Sequence, residues 1–350
     1  MSAEGSPAFR VTLEPTGVEF PVKAHEDILS AALRHGINLQ YGCRHGKCSS
    51  CKHWLVDGDV DDSAASVYAI PRDERQDGAI LLCCTRAKSD LVIEIDNYDD
   101  LEQLPELEPP STRSAVVLSR RSLNPKLDEL RVQLDHPLSF RAGQYAEFTV
   151  NAAGERRSYS MLSPPSLAGE LTFCITRIDG GLFSGRLDEL TAGTELELEA
   201  PFGTMFLRDT NRPVIAAAVG SGISPILSML AEAAERAVAV PIRFYYGAAT
   251  ADDLVYLDTI EELARRLPDF TFIPCLTRGD TDGVPRARPG RVTLVIAADI
   301  ADASGYDAYL CGMPQMCDTV GQLLELKGLP NNRIHADKFY SAVDSISVTA

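Results

Sequence analysis

Three cysteines crowd one stretch, Tyr41-Gly42-Cys43-Arg44-His45-Gly46-Lys47-Cys48-Ser49-Ser50-Cys51, in the spacing C-x4-C-x2-C. A fourth candidate, Cys83, follows in Leu81-Leu82-Cys83-Cys84. Four thiolates so spaced suit a [2Fe–2S] cluster. Three of them in one tight loop need a backbone free to curl, which Gly42 and Gly46 permit. Small Ser49 and Ser50 leave N–H groups able to face the sulfurs and tune the potential. Zinc is the competing metal, but such zinc sites pair two C-x2-C knuckles and one is present here. Four unrelated core thiols are the plainer alternative, since free cysteine packs as a small buried residue. A Rieske centre would replace two Cys by His, and His45 and His53 stand at the wrong spacing for it.

A second group of residues has the chemistry of phosphate and ring binding. Arg157-Ser158-Tyr159-Ser160 joins a guanidinium, which pairs with pyrophosphate in a bidentate way, to a stackable ring and two hydroxyls. Alone this is a four-residue pattern that an ordinary strand would also satisfy. It has company in Phe140-Arg141-Ala142-Gly143-Gln144-Tyr145, Gly180-Gly181-Leu182-Phe183-Ser184 and Pro201-Phe202-Gly203. Gly180-Gly181, ahead of an expected helix over 182–187, offers free N–H groups to a phosphate. Further on, the apolar run 214–219 enters Gly220-Ser221-Gly222-Ile223-Ser224-Pro225, a strand, glycine turn and helix start that also suit phosphate. The sixth position is Pro225, so this is not the G-x-G-x-x-G fingerprint. Ser224 is expected as N-cap, with Pro225 at the first helical position. A last strand-end pair, Cys311-Gly312, closes the run 308–312.

These residues need three kinds of scaffold. Alternation at Phe9, Val11 and Leu13 and at Val18, Phe20 and Val22, with Thr16-Gly17 between, predicts a hairpin. A helix is expected over 26–34 with Gly36 as C-cap, then strands at 53–56 and 91–95. From 114 to 206, apolar runs at 115–118, 130–134, 146–150, 171–175 and 196–198 predict an antiparallel barrel. From 214 on, strands at 214–219, 241–247, 271–276, 308–312 and 334–336 alternate with helices at 226–233, 254–267, 291–299 and 315–327, the pattern of a doubly wound parallel sheet. Between the first two regions, 99–112 carries five acids and three prolines with no basic residue and reads as an extended linker. The expected divisions are 8–97, a linker 98–112, 113–208 and 212–341.

The chain has 350 residues and 45% hydrophobic content, ordinary for a multidomain globular protein. A net charge of −17 disfavours a nucleic-acid partner. No apolar run is long enough for a spanning helix, and residues 1–8 carry no secretory signal. Nine cysteines without such a signal point to redox or metal chemistry in the cytoplasm.

Residues 9–95 resemble the β-grasp fold of plant-type ferredoxins. In those domains the fourth ligand stands seven places before an Asp, and Cys83 before Asp90 meets that count, leaving Cys84 without a role. The four middle motifs resemble, in order, those of the ferredoxin–NADP reductase superfamily. That resemblance implies FAD, with Arg157 on pyrophosphate, Tyr159 stacked on the ring, Ser160 at N5, Ser158 beside them, and Gly181, Leu182 and Ser184 at the phosphate-binding turn. The last domain resembles the nicotinamide domain of the same superfamily, implying a dinucleotide over Gly220, Gly222 and Ile223 and a nicotinamide beside Cys311 and Gly312. Family members often carry Arg where Ala249 stands. After the second strand, Gly247-Ala248-Ala249-Thr250-Ala251-Asp252-Asp253 holds no cation, and none follows until Arg265, so NADH is expected rather than NADPH.

The order iron–sulfur, FAD, NAD resembles the reductase component of bacterial multicomponent oxygenases, including soluble methane, propane and phenol monooxygenases. The resemblance implies an NADH-dependent reductase, a monomer when free, with Ser160 and Cys311 at the site of hydride transfer. Its acceptor is expected to be an oxygenase component, first of all a di-iron hydroxylase, docking near Arg44, His45 and Lys47. A Rieske dioxygenase is the alternative acceptor. A respiratory quinone reductase subunit is less favoured because no membrane anchor precedes the cluster. A zinc-binding interaction module without catalysis is the alternative of another class.

Overall fold

The computed structural model describes residues 8–66, 69–95, 108–279 and 281–340. By internal packing the chain divides into two compact units, Met1–Pro110 and Ser111–Ala350.

In the first unit β1 (Ala8–Glu14) and β2 (Val18–Lys23) form the expected hairpin. Helix α1 (Ile28–Arg34) starts two residues later than the sequence suggests, because Asp27 caps it by accepting from Ser30 N at 2.8 Å. Then come β3 (Lys52–Asp57), β4 (Val60–Asp61), α2 (Arg72–Gln76), β5 (Ala79–Leu81), β6 (Arg86–Ala87) and β7 (Leu91–Glu94). The sheet order is β2-β1-β7-β3-β5, with β1 and β7 parallel, which makes it the mixed sheet of a β-grasp. Val11, Leu13, Phe20 and Val22 from the hairpin, with Ile28, Leu29, Leu91 and Ile93, are all buried in its core. The linker expected over 98–112 lies mostly outside the described residues, and Ser111 and Thr112 at its end already pair within a strand.

That strand is β8 (Ser111–Asn124), followed by β9 (Leu127–Leu134), β10 (Tyr145–Thr149), β11 (Arg156–Ser160), β12 (Glu170–Thr176) and β13 (Glu195–Phe202). The antiparallel order is β11-β10-β13-β8-β9-β12, and a bridge from Met161 to Phe173 joins the two ends into a barrel. Its interior is filled by Leu130, Val132, Phe148, Leu171, Phe173 and Leu198. The helix expected over 182–187 is instead a 3-10 turn, Ser184–Glu189, with Gly185 inside it where an α-helix would be weakened.

The remaining strands are β14 (Val214–Val219), β15 (Ile242–Ala248), β16 (Phe270–Leu276), β17 (Arg288–Pro289), β18 (Asp307–Gly312) and β19 (Ile334–Lys338). All pair in parallel in the order β17-β16-β15-β14-β18-β19. Helices α3 (Ile223–Glu235) and α4 (Leu257–Arg266) cover one face, and α5 (Val292–Asp299) and α6 (Pro314–Leu326) the other. Ala216 and Ala218 of β14 face the first pair and Ile215 and Ala217 the second, which is why that strand is apolar throughout. α3 begins at Ile223 with Gly222 as its N-cap residue. Ser224 is therefore not the cap; it is buried in the first turn, and Pro225 is the third helical residue, where its missing N–H costs nothing.

Candidate functional site

The iron-loop thiols stand in two pairs. Cys43 hydrogen-bonds Cys48, and Cys51 hydrogen-bonds Cys83. Among the described residues no three His, Cys, Asp or Glu side chains converge as one mononuclear ion would need. Two pairs suit two irons better than one zinc. Arg44 (φ 56°), Gly46 (φ 67°) and Ser49 (φ 62°) take left-handed backbone, which turns N–H groups inward. Cys43 N lies 3.3 Å from Cys48 Sγ, and His45 N lies 3.4 Å from Cys43 Sγ. Gly46 N–H reaches Cys83, and both the N–H and the hydroxyl of Ser50 reach Cys48. Within each pair one thiol donates to the other: the hydrogen bond from Cys43 lowers Cys48 to about 6 and raises Cys43, and the one from Cys51 lowers Cys83 to about 3 and raises Cys51. Backbone N–H groups and a hydroxyl donating to sulfur are what an anionic iron–sulfur group requires.

Cys84 Sγ is 3.6 Å from Cys83 Sγ and faces Gly46, where a Cβ would lie 2.6 Å from it. Of the expected docking residues, His45 is exposed, whereas Arg44 reaches back to Ser30 Oγ at 3.3 Å and acts on Asp27 and Cys83. Arg44, partly exposed, therefore also serves the loop's own structure.

The second site lies where β11 of the barrel meets the parallel sheet. In that sheet the strand order reverses between β14 and β18, and the loops after both strands border the crevice there, the place where α/β sheets bind ligands. Gly222 and Gly312 are required by close approach. A Cβ on Gly222 would lie 2.4 Å from the Cys311 carbonyl oxygen, and one on Gly312 would lie 2.7 Å from Val219 Cγ2. The fold thus presses the Gly220–Gly222 turn directly onto the Cys-Gly turn.

Cys311 is fully buried, and burial followed by the nearby Asp337 carboxylate keeps it a thiol. Register pairs Cys311 with Asp337 across β18 and β19, and the Ser160 hydroxyl donates to Asp337 Oδ2 at 3.4 Å. Ser160, Cys311 and Asp337 therefore form one cluster at the mouth of the crevice. Asp337 was not legible in the sequence: it is one acid on a final strand, and only strand register brings it to this site.

Arg156 pairs with Glu199 and Glu147, while neighbouring Arg157 meets no carboxylate among the described residues, an arrangement suited to an incoming phosphate. Tyr159, half-buried, leans on Phe148 and Phe183, and its hydroxyl reaches Ser184. Gly181 packs so tightly that a Cβ would lie 2.5 Å from Ser184 Oγ. Leu182 is exposed on the same turn. These residues fit a flavin diphosphate. Within this unit Thr176 Oγ1 meets Ser221 Oγ at 2.8 Å, and Ser228 Oγ donates to the Ser163 carbonyl at 2.8 Å, tying barrel to sheet.

Three family descriptions match the chain: a 2Fe-2S iron-sulfur cluster binding domain over 11–88, an oxidoreductase FAD-binding domain over 114–207, and an oxidoreductase NAD-binding domain over 216–322. The chain is 37% identical to the propane 2-monooxygenase reductase component of Mycolicibacterium goodii, over 95% of this chain and 98% of the relative. It is 34% identical to the phenol 2-monooxygenase reductase component DmpP of Pseudomonas sp. strain CF600, over 96% of each. Among solved structures it resembles the Amycolatopsis cytochrome P450 reductase GcoB (TM-score 0.84, 28% identity, 95% of this chain and 99% of that one). It also resembles the ferredoxin reductase in carbazole 1,9a-dioxygenase (TM-score 0.73, 26% identity, 95% and 99%). The chain belongs to the family of fused reductases in which a [2Fe–2S] ferredoxin domain precedes FAD- and NAD-binding oxidoreductase domains, and it carries electrons from NADH through FAD to the iron–sulfur cluster.

Proposed function

We propose that this chain is the reductase component of a di-iron monooxygenase and passes electrons from its cluster to the hydroxylase. Full-length identity to a propane 2-monooxygenase reductase component carries the reading. Cys43, Cys48, Cys51 and Cys83 hold the cluster. Arg157 holds the FAD pyrophosphate, with the turn at Gly181, Leu182 and Ser184, while Ser158 and Tyr159 position the ring. Gly220, Gly222 and Ile223 receive the dinucleotide phosphates, and Cys311 and Gly312 lie beside the nicotinamide. NADH is the preferred donor, and the protein works in the cytoplasm as a monomer.

Bound FAD supplies the step between a hydride donor of two electrons and a cluster that takes one at a time. The chain supplies position and water exclusion. Asp337 accepts from the Ser160 hydroxyl and so orients it; with FAD bound, that hydroxyl would serve the flavin ring, and buried Cys311 would help keep water from the nicotinamide. Anaerobic NADH titration followed by absorbance and low-temperature EPR tests the electron path. Bleaching with a rhombic [2Fe–2S] signal is expected, and no bleaching would overturn it. Turnover of a purified di-iron hydroxylase tests the acceptor; turnover of a Rieske dioxygenase or a P450 in its place would reassign it.

A further inference from the structure

The flavin phosphate turn bends at Gly180, with φ 70°, followed by Gly181, and glycine offers no side chain by which a backbone can be fixed. Residues outside the glycines must hold the turn. Its entry is pinned by Arg177 N, which donates to the Lys126 carbonyl at 2.8 Å, and by the Thr176–Ser221 contact. On the inner side Phe183 and Leu187 are buried in the barrel. On the outer side four charges form a closed ring. Asp128 of β9 is fully buried and lies between guanidiniums from the segments on either side. Arg120 of β8 reaches its Oδ1 at 2.9 Å, and Arg177, just past β12, reaches its Oδ2 through Nε at 2.5 Å. Both cations also meet Asp188, on the turn Ser184–Glu189: Arg120 at 2.7 Å, and Arg177 by a two-pronged fork of 3.0 and 2.9 Å.

Barrel stability gives no reason for this arrangement, since apolar side chains in place of a buried ion pair stabilise a fold as well or better. What the ring has and an apolar contact lacks is direction. The Arg177 guanidinium is a rigid plane with one edge on Asp128, inside the barrel wall, and the other on Asp188, outside it, so it sets both distance and orientation between the strand end and the turn. Two carboxylates and two guanidiniums sum to zero only when the turn brings Asp188 into place. Asp188 and Ser184 belong to the same short turn, so fixing one fixes the other. We infer that this ring is the positioning device of the flavin phosphate turn: Asp128 is its buried anchor, Arg120 and Arg177 are the links, and Asp188 is the residue through which the turn is held in the shape that receives the FAD pyrophosphate. The inference rests on the reading of Gly181 and Ser184 as that turn.

Serial dilution of the holoenzyme, read by the recovery of free-flavin fluorescence, gives the FAD dissociation constant, and urea unfolding in excess FAD gives stability. Asp188→Ala, an exposed change that leaves Asp128 paired, should raise the dissociation constant about three- to fivefold, as loss of one exposed ion-pair partner predicts. Arg177→Lys should raise it about tenfold, because a point charge cannot serve both carboxylates as the fork does. Asp188→Glu can still reach the guanidiniums and should restore the constant to within about twofold of the wild type. An unchanged dissociation constant in both Asp188→Ala and Arg177→Lys, even with a lowered urea midpoint, would overturn the inference, for the ring would then support only the barrel. Ser184→Ala tests the turn apart from the ring, and FAD should weaken about tenfold there with loss of a charge-assisted contact. Weakening in Ser184→Ala but in neither ring variant overturns the ring alone; none in Ser184→Ala removes the turn on which the inference rests.

Discussion

In the iron loop, three of the four paired thiols come from one stretch, 43–51, and the backbone N–H groups that face their sulfurs come largely from the same residues. The flavin–nicotinamide crevice instead draws Ser160 and Asp337 from positions 177 apart, and joins them to Cys311 only through the register of two parallel strands. A site closed by local backbone depends on its own residues. A site assembled from strand ends depends on every element that fixes those ends. Substitutions in the two should therefore differ in reach.

The largest effect is expected in the loop. Cys83→Ser removes one member of the Cys51–Cys83 pair and should cut bound iron at least about tenfold, with loss of the EPR signal and no loss of flavin, because the damage stays local. Cys84→Ser should keep the iron, since Cys84 belongs to neither pair. Iron assay and EPR of the two variants decide which cysteine is the ligand, and retention of iron in Cys83→Ser with loss in Cys84→Ser would reverse the assignment.

In the crevice, Asp337→Asn keeps the shape but removes the charge that orients the Ser160 hydroxyl. The rate of flavin reduction by NADH should fall on the order of 10–100-fold in stopped flow while the cluster spectrum is unchanged. Ser160→Ala should slow the same step, and the double variant should lose less than the product of the two, since both residues act through one contact. Full additivity would separate Asp337 from Ser160.

Gly222→Ala tests dependence on distant elements. The added methyl meets the Cys311 carbonyl oxygen at 2.4 Å, so β18 or the turn must move. A loss of about 1–3 kcal/mol is expected in the second unit, with weakened NADH binding. Urea unfolding monitored by flavin release measures it.

What the sequence showed follows the same division. The hairpin at 8–23, the loop spacing and the apolar run of β14 were legible because periodicity and spacing are local properties. The short elements β4, β6, β17 and α2 were not, being too brief to repeat a pattern. The turn at Ser184–Glu189 read as a helix because its apolar spacing over a few residues does not distinguish 3-10 from α. Asp337 was invisible for a stronger reason: it gains its place from register with Cys311, on a strand far away in the chain.

The smallest expected effect is one of pH, and it should reach only the assembled site. His335 lies on β19 two residues before Asp337, with its ring 5.0 Å from Tyr309, and burial together with the Arg208 guanidinium lowers its pKa to about 3. The folded state therefore favours the neutral ring. Stability from this residue is complete above the unfolded value near 6.5 and is lost as pH falls from there toward 3, because the unfolded chain binds the proton first. Partial exposure of the ring discounts the full linkage, leaving about 1 kcal/mol lost at pH 5. Flavin release in urea should shift to lower denaturant between pH 6.5 and 5 in the wild type, and less so in His335→Phe, which keeps the ring packing against Tyr309. The iron signal should not follow His335 at all, since the iron loop belongs to the other compact unit, with a core of its own. An iron signal whose acid loss is also relieved by His335→Phe would show that the two sites do not fail independently.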